Sequence, residues 1–203
     1  MQWLPLAFVL AFFGFGILLR AWLHRRRHGT FGVVLFAGGT EQKVRDGLLL
    51  VLFAAMLIQA TIVAASVRPA HDLDWSLPAA ECWPITGVLL MTAGLQVLIG
   101  SQANLGVSWR IGIDERARPG LVTTGVYALV RNPIFVGLWL LLLGFLAAVP
   151  TWISLIQLFG ASIGIHRQVR AEESWLLATY GAEYRAYASR VGRFVPFVGR
   201  LTP

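Results

Sequence analysis

The sequence is poor in the residues from which disulfides and metal sites are built. Its single cysteine, Cys82, excludes an internal disulfide and any metal cluster made of cysteines. None of the four histidines has zinc-ligand spacing with another, so we predict no metal site. These histidines are His24, His28, His71 and His166.

Charged residues are scarce as well, at 13% of the sequence against 57% hydrophobic residues. Apolar runs near or above the ~20 residues that span a bilayer recur along the chain. The runs are continuous, which excludes a transmembrane β-barrel, whose strands alternate apolar and polar residues. We therefore predict an all-α polytopic membrane protein, with one membrane domain over residues 1–203.

The apolar runs predict about five transmembrane helices. Three spanning helices fall within residues 1–104, and two shorter runs form a helical hairpin in the C-terminal half. The runs are 3–23, 47–67, 83–103, 133–149 and 151–165.

The basic residues lie in the loops between these runs, which indicates a membrane protein and no nucleic acid partner. Five occur in 24–45, four in 105–132 and six in 166–203, against one in 68–82. The positive-inside rule then predicts an external N-terminus and a cytoplasmic C-terminus. All but one of the 17 basic residues are Arg, which favours a bacterial cytoplasmic membrane.

Two patterns in the C-terminal half concern packing. Residues 167–189 predict a separate cytoplasmic amphipathic helix that lies on the membrane or covers the hairpin. Gly160 and Gly164 form a small-xxx-small pattern, which either allows a close helix contact or arises by chance. The apolar and aromatic face of the amphipathic helix consists of Leu176, Tyr180, Tyr184, Tyr187 and Val191.

Polar residues that could carry chemistry flank the predicted hairpin. Asn132 and Pro133 suit the N-cap and first turn of the fourth helix, whose free N–H groups, with Arg131 beside them, would attract an anion. The bland alternative is an ordinary capped membrane helix. Glu172 and Glu173 follow the hairpin and point roughly 100° apart on a helix, so one can face a pocket while the other faces water.

Together these segments resemble the isoprenylcysteine carboxyl methyltransferase and phospholipid methyltransferase family of integral membrane enzymes. The resemblance covers roughly residues 105–197, so residues 105–203 are the expected catalytic half. Asn132 replaces the family's His, Phe135 replaces its Tyr, and Gln168 stands where eukaryotic members carry an Arg that meets the substrate. The matching residues are Leu121, Val122, Gly125, Tyr127, Arg131, Pro133, Gly137, Glu172, Glu173, Gly181, Tyr184, Tyr187, Val191 and Pro196.

The resemblance implies S-adenosylmethionine as the cofactor and a lipidic methyl acceptor that enters from the bilayer. It implies carboxyl O-methylation of an isoprenylcysteine-like substrate, with Arg167, Arg170 and Glu173 as candidate catalytic residues. The expected cofactor-binding residues are Leu121, Val122, Tyr127, Arg131, Asn132, Pro133, Phe135 and Glu172.

Three other functions stay open at the level of the sequence. The acceptor could be the amine of phosphatidylethanolamine, which must lose a proton before methylation. The chain could be an NADPH-dependent membrane reductase of the sterol type. It could also be a non-enzymatic membrane subunit, because Asn132 and Phe135 depart from the family pattern.

Overall fold

The computed structural model describes residues 2–65, 83–112 and 120–202, and these form a bundle of five helices. The predicted external loop 68–82 falls outside the described residues. No extended strand occurs in the described part of the chain, which has only two isolated bridges, Val33 to Ile111 and Val130 to Gly192. The helices are α1 (Leu4–His28, with π-helical turns over Phe12–Leu19), α2 (Thr40–Ala65), α3 (Trp83–Leu105), α4 (Pro133–Ala148) and α5 (Trp152–Ala188).

The membrane architecture is confirmed. Three helical stretches, Leu4–His28, Thr40–Ala65 and Trp83–Ser108, are long and apolar enough to cross a bilayer. The apolar helix Pro133–Ala148 is shorter, as the sequence predicted for an arm of the hairpin. Gly29 ends α1 with a φ of 78°, a left-handed conformation that a glycine adopts without steric cost.

The last helix differs from its prediction. The fifth apolar run continues without a break into the segment 167–189, and the resulting helix, Trp152–Ala188, is kinked at Gly181, where φ is 52° and ψ is −117°. No glycine or proline interrupts residues 165–180, so nothing stops the helix where the apolar residues end. Its uninterrupted part, residues 152–180, extends to roughly 43 Å, so the whole helix, including its second half, is longer than a single crossing of the ~30 Å hydrocarbon core requires.

The predicted apolar and aromatic face of that second half packs against the protein. Tyr184, Tyr187 and Val191 are buried, and the loop residue Leu121 packs on them. Gly181 has a non-helical φ of 52° within this stretch, where an added Cβ would meet no other residue. This face therefore covers the chain segment that precedes α4, which positions the site described below.

The close helix contact in the membrane lies between α3 and α4, and it uses glycines seven residues apart. A Cβ added at Gly94 would lie 2.7 Å from the Gly137 carbonyl oxygen, and one at Gly87 would lie 2.8 Å from that of Gly144. These distances are shorter than carbon and oxygen tolerate, so the backbones of α3 and α4 touch directly. At Gly164 an added Cβ would meet nothing within 4 Å, which favours chance for the Gly160–Gly164 pattern.

Polar side chains also connect the helices within the apolar region. The Gln59 amide nitrogen on α2 donates to the hydroxyls of Thr151 at 2.6 Å and Ser154 at 2.8 Å. Thr151 in turn caps α5, because its hydroxyl accepts the Ser154 N–H at 3.1 Å. The buried apolar residues around this connection are Val9, Phe12, Met56, Ala60, Val63, Met91, Leu98, Leu141, Phe145 and Val149.

Candidate active site

A cavity of about 200 Å³ lies at one end of the bundle, between the start of α4, the loop before it and the second half of α5. Seven of the eight predicted cofactor-binding residues line this cavity. The eighth, Pro133, is buried beside it in the first turn of α4. The seven are Leu121, Val122, Tyr127, Arg131, Asn132, Phe135 and Glu172.

The first turn of α4 lies at the cavity. Ile134 and Phe135 line the wall, and as first-turn residues they have N–H groups without an intrahelical partner. Asn132 occupies the N-cap position, but the expected side-chain cap is absent. Its amide instead donates to Glu173 Oε1 and to the Arg193 carbonyl oxygen, each at 3.2 Å. The first-turn N–H groups therefore stay available to an anion.

Glu172 is the acid on the cavity wall. Its Oε1 accepts a hydrogen bond of 2.7 Å from the Gln168 amide nitrogen. Burial raises the pKa of Glu172 to about 7, although the Gln168 hydrogen bond and the charge of Arg45 act in the opposite direction. Within the described residues no Lys or Arg forms an ion pair with it, so the carboxylate can receive a cation from a ligand.

Glu173 is the centre of a buried ion-pair cluster. Its Oε1 lies 3.0 Å from Arg131 Nη2, and its Oε2 lies 2.7 Å from Arg193 Nη2. The residue is only 7% exposed. The expectation that one of the two adjacent glutamates faces water is therefore wrong, because one lines the cavity and the other is enclosed by Arg side chains.

Arg131 holds the C-terminal segment onto the start of α4. Its guanidinium donates to the carbonyl oxygens of Ala188 at 2.9 Å, of Gly199 at 3.0 Å and of Val191. Its backbone N–H donates to the Gly192 carbonyl oxygen at 2.9 Å. The Arg131 guanidinium is thus fully engaged inside the protein, and its contribution to the cavity is chiefly to fix the wall.

Tyrosines form much of the remaining wall. The Tyr187 hydroxyl donates to the Tyr127 carbonyl oxygen at 2.7 Å, and burial raises the pKa of Tyr187 to about 12. Burial also raises the pKa of Tyr127 and of Tyr184. The Tyr184 hydroxyl is near the Arg131 charge but makes no well-formed hydrogen bond with the described residues. All three phenols stay neutral near pH 7.

The structure does not bring Arg167 and Arg170 to the cavity. Both side chains are exposed on α5, and neither lines the wall. The sequence reasoning missed Arg45, whose Nε donates to Gln168 Oε1 at 3.1 Å, and Arg193, which pairs with Glu173. Arg193 could have been suspected because it lies between Val191 and Pro196, which match the family pattern, whereas Arg45 has no local signal.

The fold and the cavity define a helical membrane protein with a cavity at the end of its helices. Residues 83–183 match the phospholipid methyltransferase family, and this stretch includes the start of α4 and both glutamates. None of the curated protein sequences compared is similar to the chain.

A solved structure has the same fold. It is the eukaryotic intramembrane Ras methyltransferase isoprenylcysteine carboxyl methyltransferase, with a TM-score of 0.63 and 17% sequence identity. The alignment covers 96% of this chain and 66% of that protein, so the chain spans a little under two thirds of its length. The chain therefore matches the phospholipid methyltransferase family over residues 83–183 and shares its fold with an isoprenylcysteine carboxyl methyltransferase.

Proposed function

We propose that the protein is an S-adenosylmethionine-dependent methyltransferase that acts on a lipidic acceptor at the membrane surface. The observation that carries this proposal is the shared cavity of Glu172 and the N-terminus of α4. A carboxylate that forms no ion pair with a Lys or Arg of the described residues, and first-turn N–H groups without an intrahelical partner, match the ammonium and the carboxylate of an amino acid moiety. The residues present therefore fit the cofactor that the family uses.

The chain's own residues would bind and orient that cofactor. Glu172 would accept hydrogen bonds from its ammonium, and the N–H groups of Ile134 and Phe135 would donate to its carboxylate. The aromatic face of Tyr127 suits a positive sulfonium. When bound, S-adenosylmethionine supplies an activated methyl group. Orientation by such a wall can lower the barrier by ~7–11 kcal/mol.

The proposed acceptor is the carboxylate of an isoprenylcysteine-like lipid. A carboxylate is ionised at neutral pH and needs no general base, which agrees with a site whose second acid, Glu173, is fully paired. Since Arg167 and Arg170 are exposed away from the cavity, we propose that they contact the acceptor only at its entrance, if the acceptor is an anion.

A phosphatidylethanolamine amine is the second candidate acceptor, because the family model that matches residues 83–183 is that of the phospholipid methyltransferases. Such an amine must lose a proton before methylation, and Glu172 is already assigned to the cofactor ammonium. Glu173 is excluded as the proton acceptor as well, because both of its carboxyl oxygens are paired with Arg131 and Arg193.

Incubation with methyl-labelled S-adenosylmethionine tests the proposed reaction. Purified protein would receive a prenylcysteine analogue or phosphatidylethanolamine across a pH series, with Arg167→Ala and Arg170→Ala alongside. We expect label in the prenylcysteine analogue and a loss in the two variants. Label in the amine lipid alone, unaffected by either variant, selects the second acceptor. Binding of NADPH without any methyl transfer contradicts the proposal and favours a reductase.

We also propose that the site faces the cytoplasm of a bacterial cell, with the N-terminus outside. The ends of α1 and α3 meet on the side of the site, since Arg20 donates to the Gly106 carbonyl oxygen at 2.8 Å. The exposed Arg cluster in the last turn of α1, Arg25 to Arg27, lies on that side too. A cysteine at the exposed position Ala182, in a Cys82→Ser background, should resist impermeant thiol reagents in intact cells. External labelling of that cysteine would reverse the orientation.

A further inference from the structure

Glu172, the carboxylate of the proposed cofactor site, is connected by hydrogen bonds to α2. This helix contains none of the residues that match the family pattern. Glu172 accepts a hydrogen bond from Gln168, and Gln168 accepts one from Arg45 on α2. Arg45 and Gln168 are 123 positions apart in the sequence. α2 also precedes residues 83–183, the stretch that matches the family.

The three side chains are oriented so that each hydrogen bond supports the next. The Arg45 Nε–H donates 3.1 Å to Gln168 Oε1, and the Gln168 amide nitrogen donates 2.7 Å to Glu172 Oε1. The amide dipole of Gln168 therefore carries the positive potential of the guanidinium toward the carboxylate. We call this arrangement the Arg45 relay.

Nothing in the described part of the chain competes for the relay. The neighbouring acid Asp46 is hydrogen-bonded to the segment that precedes α2, because its Oδ2 accepts the Phe36 N–H at 2.7 Å. Glu41, the other acid at the start of α2, is exposed. Among the described residues, Gln168 is the only group to which the Arg45 guanidinium donates.

We propose that Arg45 and Gln168 are positioning residues that orient Glu172 toward the cavity and hold it as a carboxylate. This inference rests on the proposed function for its meaning, since an ionised Glu172 is what an ammonium-bearing cofactor needs. It assigns a part in the site to the N-terminal half of the chain, which contains none of the residues that match the family pattern.

The surroundings of Glu172 set the sign of the expected effect. Burial raises its pKa, Glu173 raises it further, and Gln168 and Arg45 lower it. Loss of the Arg45 charge should therefore raise the pKa of Glu172 again, and a higher pH is then needed to ionise it. The other charged or titratable groups on the same cavity are Arg110, Arg131, Tyr127, Tyr180, Tyr184 and Tyr187.

The infrared band of the protonated Glu172 carboxyl group tests the relay without any ligand. The band is identified by its loss in Glu172→Gln and is followed from about pH 5 to about pH 9, a range that brackets the titration. In Arg45→Gln the midpoint should rise by about one pH unit, the effect expected for removal of a nearby opposite charge. Lys43→Gln is the matched control, because it removes an exposed charge from the same turn of α2, and its midpoint should not move.

A double variant that moves the positive side chain to another position in the relay distinguishes an electrostatic effect from a merely structural one. The double variant Arg45→Gln with Gln168→Arg moves the guanidinium to α5, four residues before Glu172, where it can pair with the carboxylate directly. Its midpoint should return to the wild-type value or fall below it. An unchanged midpoint in Arg45→Gln, or a double variant that behaves like the single one, overturns the inference.

Titration of S-adenosylhomocysteine into the same proteins separates this inference from the proposed function. We expect the pH dependence of its binding to move with the infrared midpoint in each variant. No binding by the wild type at any pH contradicts the proposed function, whereas the infrared midpoints still decide the relay. If the pH dependence of binding in Arg45→Gln is the same as in the wild type, the relay alone is contradicted.

Discussion

The α3–α4 contact and the Glu173 cluster join neighbouring parts of the same protein in opposite ways. In the membrane, Gly94 and Gly137 remove side chains from the interface until the two backbones touch. At the end of the bundle, Glu173 gathers Arg131 from the start of α4 and Arg193 from the C-terminal segment. One contact depends on the absence of atoms, and the other depends on charges placed in contact.

The difference follows from the two environments. Lipid tails are as apolar as leucine, so helices in a bilayer gain little from apolar side chains and much from close packing. At the end of the bundle, the protein shields most of the cluster from water. In such an interior paired charges interact strongly, but an unpaired charge is very costly. We therefore expect each contact to fail under a different kind of substitution.

Loss of the Glu173 charge should have the largest effect on stability. Glu173→Gln leaves the buried Arg131 guanidinium and the partly exposed Arg193 guanidinium uncompensated, and breaking a buried pair such as Arg131–Glu173 costs about 3–5 kcal/mol. Unfolding by denaturant in detergent micelles measures the loss. Glu183→Gln is the control, since Glu183 is exposed on the same helix and should change little. Equal stabilities for the two variants would mean that the cluster contributes nothing.

A methyl group between α3 and α4 should have the next largest effect. Gly94→Ala forces a Cβ against the Gly137 carbonyl oxygen, and overpacking of this kind costs about 1–3 kcal/mol. Gly164→Ala adds the same methyl group where space is open, and should be neutral or stabilising by ~0.5–1 kcal/mol. The same unfolding experiment compares them. A loss in Gly164→Ala that matches Gly94→Ala would contradict the assigned contact.

The smallest effect concerns the pH dependence of stability. Because burial raises the pKa of Glu172 to about 7, folding favours its protonated form. This contribution is full below the unfolded pKa of about 4 and is lost as the pH rises to about 7, at no more than about 1.4 kcal/mol per pH unit. Glu172→Gln should flatten the stability profile in that window. A profile identical to the wild type would show that Glu172 keeps an ordinary pKa.

The sequence predicts the parts of this molecule that local patterns determine. Apolar runs locate the membrane helices, and the two motifs name seven residues that the fold brings to one cavity. The continuity of α5 was missed, because the apolar run ends near Ile165 while helix propensity does not. Hydropathy indicates which residues of a helix suit lipid, but the end of an apolar run does not indicate the end of the helix.

The remaining features depend on partners distant in sequence. Asn132 looks like a helix cap, but Glu173 and the Arg193 carbonyl oxygen take its side chain. The seven-residue glycine spacing on α3 and α4 has meaning only when the two helices are placed side by side. Arg45 likewise has no sequence signal for its role, because only the packing of α2 on α5 brings it to Gln168.

Calorimetric titration of S-adenosylhomocysteine into wild-type protein and Glu172→Gln is the most direct test of the account. Glu172→Gln keeps the shape of the side chain and the Gln168 contact but removes the charge, and Glu183→Gln controls for charge on α5. We predict binding to the wild type and to the control, with a loss of about 1.5–3 kcal/mol in Glu172→Gln, which is about 10- to 150-fold in affinity. Equal affinities for all three proteins, or no binding to any of them, would contradict the central claim that this cavity holds the methyl donor.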